Sequence, residues 1–478
     1  MKIMMIASES SPLAKTGGLA DVVYALSKEL AVLGEEVSVV IPFYANIKRS
    51  PEQEIRFVAN VQVPLGWRFQ NAKVYKTFID GITFYLLENE YYFGREGFYG
   101  YDDDTERFAF FSVAVRNMMQ TLKIKPDIVH VHDYHGGMVP ALIKIQNGRT
   151  KFFSKMKFVV TIHNPAFQGE FHPDLLPDFY DIRKEYFDDG TLRYRDKVNA
   201  LKAAIVFADK INTVSPTHAL ELLTPEGSKG LDGILKLRRD DFSGILNGID
   251  YDEFNPQTDK HIPFRYGKSR PGIKAKNKIK LFEELGIKGD ENTPLFSMVT
   301  RLTWQKGIDL VIPAIIEVLE KGGNVIVVGS GEHGYEQALE ELRARYPEKM
   351  AIYIGYNNPL AHRVYAASDF FFMPSLFEPC GIGQMIAQRY GTLPIVRTTG
   401  GLKDTVIGYD GTNADVADGF IFDNYDEYWM KLTTNYALEQ YKNQKVFKQM
   451  RKNAMHKNND WSESGKNYLA LYKSIVEH

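Results

Sequence analysis

Short, unbroken apolar runs recur along this chain, and most are followed by a stretch whose apolar positions return every three or four residues. KIMMIAS (2–8) reads as a buried strand, and a helix predicted from about Leu19 to Leu33 carries Leu19, Val22, Val23, Leu26 and Leu30 on one face. EVSVVIP (36–42) is the next strand. KVYKTFIDGITFYLLEN (73–89) alternates on both sides of Asp80-Gly81, which predicts a hairpin. DIVHVHD (127–133), KFVVTIHN (157–164) and DKINTVS (209–215) continue the series. Strand and helix patterns in alternation predict a parallel sheet clad by helices.

After FSGILNGID (242–250) and a polar, proline-containing stretch at 255–275, the pattern restarts. LFSMVTR (295–301), NVIVVGS (324–330), MAIYIGY (350–356), DFFFMPS (369–375) and TLPIVRT (392–398) each precede a helix or loop. From Tyr425 onward only helical patterns remain. The expected fold class is α/β, with two doubly wound, Rossmann-like domains at 1–243 and 244–455 facing a cleft. A last helix within 456–478 is expected to cross back to the first domain. Ligands of open α/β sheets bind beyond the carboxyl ends of strands, so those ends are where chemistry is sought.

Composition narrows the function classes. The 478 residues suffice for two or three domains, and 44% apolar with 25% charged residues is ordinary for a soluble globular protein. Fifty-eight Lys and Arg nearly balance 60 Asp and Glu, so no global field favours nucleic acid or a membrane surface. The single cysteine, Cys380, rules out an internal disulfide and suits a reducing cytoplasm. No apolar run approaches the roughly 18 residues that a membrane span needs. The run from Ile3 to Ala7 is too short for a signal peptide.

Six segments carry candidate chemistry. KTGG (15–18) lies where the first strand passes into the first helix. A helix start presents unpaired N–H groups, Gly17 and Gly18 let a phosphate approach the backbone, and Lys15 adds a full charge. Neither a Walker A ending nor GxGxxG is present, so a plain helix entry is the alternative. In VHVHDYHGG (129–137), His130 and His132 share a strand face and read as core histidines before zinc ligands. Asp133, at the strand's end, is the better functional candidate. In TIHN (161–164), His163 lies just past a strand, where it can bind a substrate hydroxyl, move a proton or simply occupy a loop. In TRLTWQKG (300–307), Arg301 and Lys306 flank a strand-to-helix junction, a placement that suits a diphosphate. Glu378, in SLFEPCGIGQMIAQ (375–388), precedes a glycine-rich helix start, as a substrate partner or a dipole partner. TTGGLKDTV (398–406) repeats the polar-GG-L pattern, and its backbone N–H groups either hold a ligand or only make a tight turn.

Together, KTGGLADV, HDYH, TIHN, NGID (247–250), TRLTWQKG, PSLFEPCGIGQ and TTGGLKDTV resemble the motifs of bacterial glycogen synthases and the related plant starch synthases, in that family's order. The resemblance spans essentially the whole chain. It implies a glycosyltransferase-B fold and transfer of glucose from ADP-glucose to the non-reducing end of an α-1,4-glucan, with retention at the anomeric carbon. It implies no cofactor and no metal at the diphosphate, a role left to Arg301 and Lys306. Residue by residue, Lys15, Gly17 and Gly18 would contact the donor phosphates, and Arg301 and Lys306 the departing ADP. Glu378, with the backbone at Cys380 and Gly381, would bind glucose hydroxyls. His163 would bind the 6-hydroxyl, with Asp133 near the reacting sugar. Asn247, Thr399, Gly400 and Gly401 would complete the donor side, and Tyr356 would lie against adenine. Glu9 and Tyr134 would face the acceptor. Two departures stand out: Tyr134 where the family often has tryptophan, and Gly383-Gln384 where many members have threonine and glutamine.

The same resemblance leaves a double displacement through Asp133 and a front-face attack both open, with front-face attack favoured. UDP-glucose is the competing donor. An epimerase of the same architecture is a rival reaction, and a non-catalytic glucan-binding protein is a rival from another class. The latter predicts decay of the Lys15, Arg301, Lys306 and Glu378 set, and all four are present.

Overall fold

The computed structural model describes residues 1–47 and 54–476. The chain divides into one unit comprising Met1–Asn247 with the chain from Trp461 onward, and a second comprising Gly248–Asp460. No helix among the described residues is long and apolar enough to cross a membrane.

The first unit is built on a nine-stranded sheet. Its strands are β1 (Lys2–Ile6), β2 (Glu36–Pro42), β3 (Arg56–Leu65), β4 (Arg68–Ile79), β5 (Ile82–Glu88), β6 (Ile128–His132), β7 (Lys157–Ile162), β8 (Lys210–Thr213) and β9 (Phe242–Gly244). They lie in the order β9-β8-β7-β6-β1-β2-β5-β4-β3. From β9 to β5 every pairing is parallel, and β4 and β3 then add antiparallel. The sheet is therefore mixed rather than purely parallel. Its parallel centre is made of unbroken apolar runs because both faces are covered; in β1, Met4, Met5 and Ile6 are fully buried. The expected hairpin joins β4 to β5 through Asp80 and Gly81, both with positive φ, as a two-residue turn requires. β3 escapes the apolar-run pattern because it buries only Val61, Val63 and Leu65 along one face.

Helix α1 (Gly18–Val32) buries Val22, Val23, Leu26 and Leu30, as its spacing predicts. Helix α2 (Trp461–Val476) belongs to this same unit and packs on α1, where Gly465 sits so close to Glu29 that a Cβ would lie 2.3 Å from its Cγ. Positions 477–478, the end of the expected crossing segment, lie outside the described residues.

The second unit holds an all-parallel sheet of β10 (Leu295–Val299), β11 (Asn324–Gly329), β12 (Met350–Ile354), β13 (Phe370–Met373), β14 (Leu393–Arg397) and β15 (Phe420–Phe422). Their order is β12-β11-β10-β13-β14-β15. The apolar runs overestimate β10 to β14 by one or two residues at the carboxyl end, because those last residues turn out into loops, and no run predicted the three-residue β15. The direction of winding reverses between β1 and β6 in the first sheet and between β10 and β13 in the second. Such switch points are where open sheets bind ligands. KTGG and Asp133 follow β1 and β6; Arg301, Lys306 and Glu378 follow β10 and β13.

Candidate active site

In the first unit, Gly17 is the N-cap of α1 and Gly18 its first residue. A Cβ on Gly18 would meet nothing within 4 Å, so the backbone there lies open. Lys15 pairs with Asp21 of the first helical turn at 2.8 Å, with both side chains about half exposed. An exposed pair of this kind contributes at most about 1 kcal/mol, so an anion can displace it. Glu9, expected toward the acceptor, is buried; its Oε2 accepts the Thr16 N–H (2.5 Å) and hydroxyl (2.8 Å). Burial raises its pKa, against the pull of those hydrogen bonds. Its visible work is to shape the KTGG loop.

At the end of β6, Asp133 adopts φ 57°, ψ −166°, a conformation that L-residues rarely occupy. What holds it there is its own carboxylate: Oδ1 accepts the N–H of His163 (2.7 Å) and of Asn164 (3.3 Å). Burial pushes the carboxyl up to about 7, despite those two amides. His163 follows β7, partly exposed, and its Nε2 lies 2.9 Å from Nδ1 of His132. His130 and His132 are fully buried, in line with the core reading. His130 bonds the Tyr472 hydroxyl of α2 through Nδ1 and Thr161 Oγ1 through Nε2, each at 2.7 Å. Burial holds His130 and His163 down at about 3, so both are neutral at physiological pH. No cluster of three or more His, Cys, Asp or Glu among the described residues is arranged to hold a metal ion.

Tyr134 packs its ring on His135, with centroids 3.9 Å apart. It also borders a pocket of about 330 Å³ shared with Phe167, Gly169, Tyr194, Arg195 and Lys229. Arg195 and Lys229 both carry positive φ, which places strained backbone on the pocket wall. Asn247, the last residue before the chain enters the second unit, is buried, and its Oδ1 has no hydrogen-bond partner among the described residues.

In the second unit, loop packing brings Lys306, Glu378, Gly400 and Gly401 together, whereas no hydrogen bond or ion pair joins Arg301 or Tyr356 to them among the described residues. After β10, Arg301 is exposed, and Trp304–Lys306 form a single 3₁₀ turn ended by Gly307 at φ +74°. A Cβ on Gly307 would fall 2.4 Å from the Pro374 carbonyl oxygen, so glycine lets this loop lie against the one after β13. The contact delivers Lys306 Nζ to Glu378 Oε2 at 2.6 Å, and the Ser375 hydroxyl donates to the same oxygen at 2.9 Å. Gly401 donates its N–H to the Glu378 carbonyl at 3.1 Å. Gly400, at φ +46°, lies so near that a Cβ would stand 1.9 Å from that carbonyl oxygen. The TTGG glycines thus serve loop-on-loop packing, a use the sequence does not reveal. Thr399 caps the short helix Gly400–Thr405, and Cys380 is buried. Gly381 turns at φ +73°, and Tyr356 stands 83% exposed just beyond β12, its hydroxyl 3.3 Å from Asn358 Oδ1. The Gly383-Gln384 departure is accommodated: Gln384 is buried and donates to the carbonyls of Cys380 and Gly381 and to Thr405 Oγ1.

Three partners were missed from sequence: Ser375 on Glu378, Asp21 on Lys15, and His132 on His163. Only the last had a usable signal, since pairing of β6 with β7 sets His132 beside Thr161, two residues before His163.

The chain's relatives carry the same organisation. Residues 2–237 match the starch synthase catalytic domain family, and residues 277–456 match glycosyl transferases group 1. The chain is 44% identical to a glycogen synthase of Clostridium beijerinckii, over 100% of this chain and 99% of that one. It is 43% identical to a glycogen synthase of Bacillus cereus, over the full length of both. Its structure superposes on the catalytic domain of starch synthase IV from Arabidopsis thaliana, bound to ADP and acarbose, with a TM-score of 0.90 and 32% identity over 100% of this chain and 99% of that one. With two Rossmann-like units and this degree of likeness along its whole length, the chain belongs to the glycogen and starch synthase family of glycosyltransferases with the GT-B fold.

Proposed function

We propose that this protein is a retaining glucosyltransferase that elongates α-1,4-glucan, taking glucose from ADP-glucose and releasing ADP. The observation that carries the reading is the Lys306–Glu378 pair at the β10/β13 switch point, with Arg301 exposed in the loop after β10. The two cations take up the charge that develops on the departing diphosphate, the role a divalent ion plays elsewhere. Glu378 holds glucose hydroxyls, with the backbone at Cys380 and Gly381. Tyr356 offers an exposed ring to the adenine. Thr399, Gly400 and Gly401 keep the glucose-binding loop in place, and Asn247 offers an unpartnered buried oxygen. From the first unit, Lys15 and the open backbone at Gly17 and Gly18 receive phosphate. His163, neutral, bonds a sugar hydroxyl.

Asp133 is poorly suited to be a nucleophile: one carboxylate oxygen accepts two backbone amides, and burial brings its pKa to about 7. Front-face attack fits better. The acceptor 4-hydroxyl oxygen bonds to the anomeric carbon, the bond from that carbon to the phosphate oxygen breaks, and the hydroxyl proton passes to that phosphate oxygen. The acceptor chain enters by the pocket beside Tyr134, with Glu9 acting through the KTGG loop. The Arabidopsis relative, bound to ADP and acarbose, supports a nucleotide donor and a glucan acceptor. The cytoplasm is the compartment this reading assigns.

The test is incorporation of labelled glucose into glycogen from ADP-glucose and UDP-glucose side by side. Preferential incorporation from ADP-glucose is expected. Equal or better use of UDP-glucose removes the donor assignment, and consumption of either donor without glucan labelling removes the reaction.

A further inference from the structure

The contact between His132 and His163 decides more than the position of a ring. Register between β6 and β7 sets His132 opposite Thr161, and His163 is the next residue on the Thr161 face. His132 Nδ1 and His163 Nε2 are 2.9 Å apart, so one donates and the other accepts. Burial holds both rings neutral, which leaves one proton on each. His130 supplies no competing bond. Its nitrogens are taken by Tyr472 and Thr161, and only its ring face meets His132, with centroids 4.2 Å apart.

Two arrangements remain, and the far side of His132 separates them. His132 is 0% exposed, and its Nε2 has no hydrogen-bond partner among the described residues. If His163 donated, the His132 proton would sit on Nε2 as an orphaned buried N–H, the rarer and costlier kind of unsatisfied group. If His132 donates from Nδ1, only a weak acceptor lone pair is left unsatisfied. His163 must then accept at Nε2 and carry its own proton on Nδ1. This is the reverse of the tautomer that dominates for free histidine.

We infer that His132 is a positioning residue that fixes His163 in the Nδ1–H tautomer, so that His163 offers a hydrogen-bond donor to an oxygen of the bound sugar. The inference rests on the reading of His163 as a substrate partner. It makes the deeply buried β6 histidine a determinant of the reaction rather than core filling alone.

The test uses the full chain with 15N-labelled imidazole rings, whose two-bond proton–nitrogen correlations distinguish a protonated from an unprotonated ring nitrogen. The His163 signals are identified by their loss in His163→Ala. The expected result is a protonated Nδ1 and a bare Nε2 on His163 in the parent protein; a protonated Nε2 overturns the inference whatever the variants do. His132→Leu removes the donor, and should abolish the Nδ1–H preference and cut kcat at least about ten-fold with donor KM within about two-fold. His132→Asn, whose amide nitrogen can stand in for Nδ1, should restore the tautomer and bring kcat to within about three-fold of the parent. An unchanged tautomer and kcat in His132→Leu also overturns it. Full turnover in His163→Ala refutes the substrate-partner reading instead, and the tautomer assignment is then read independently.

Discussion

Lys306 and Glu378 are paired with each other, and the proposed function would couple both to substrate as well; the two couplings can be separated. Their charged atoms lie 2.6 Å apart, with the side chains only 14% and 10% exposed. Removing one member of such a buried pair leaves the other charge uncompensated and costs about 3–5 kcal/mol. Replacing both by uncharged residues of similar size is close to neutral. Lys306→Met and Glu378→Gln should therefore each destabilise the second unit by about 3 kcal/mol, while the double variant lies within about 1 kcal/mol of the parent. Turnover should not follow stability. Losing a preorganised cation at the leaving group costs about a hundred- to a thousand-fold, and the double variant stays that slow. Hydrogen exchange of the peptide spanning β13 reports opening of the second unit alone, and glucose transfer from ADP-glucose reports the chemistry. Additive destabilisation in the double variant refutes the coupling. Recovery of turnover along with stability refutes the electrostatic role of Lys306.

Two glycines of similar sequence context should part company. Gly18→Ala, with open space around its Cβ, should leave unfolding unchanged yet lower kcat/KM for ADP-glucose at least about ten-fold, whereas Gly400→Ala should disrupt the Glu378 loop and lower thermal stability. Unchanged kinetics in the first or unchanged stability in the second contradicts these assignments. Asp133→Asn preserves an acceptor for the two amides, so turnover should fall no more than about ten-fold; a loss on the order of 10⁴-fold or more identifies a covalent nucleophile and ends the front-face account. Burial holds His130 and His135 down at about 3, against 6.5 for an ordinary histidine. The unfolded chain therefore binds more protons between those values. Stability is full above pH 6.5 and falls as pH drops, by about 1.4 kcal/mol per pH unit per histidine. Asp133, raised to about 7, opposes this, as do Glu9 and Asp418, which burial also raises, while His132 and His163, likewise held down by burial, add to the decline. Urea midpoints measured from pH 7 to 5 should decline, and the decline should be shallower in His130→Gln; a flat or rising profile contradicts the buried neutral histidines.

The fold was largely legible because its parallel strands are buried on both faces and so appear as unbroken apolar runs. β3 was not, since a strand buried on one side contributes only three core residues. The candidate site was legible where charge meets a strand end: Lys15, Asp133, Arg301, Lys306 and Glu378 all follow strands at the two switch points. What the sequence hid is the partner of each charge. Lys306 and Glu378 are 72 positions apart, and they meet only because Gly307 admits the Pro374 carbonyl, a contact with no local signature. The two GG pairs look alike on paper for the same reason. Only packing shows that one faces open space and the other is wedged against the Glu378 loop.

The most direct test of the central claim is to follow ADP-glucose and maltoheptaose by proton NMR as the full chain acts on them. The account predicts new α-1,4 anomeric signals growing in step with release of ADP. Appearance of a β-linkage, or release of free glucose in place of chain growth, contradicts it.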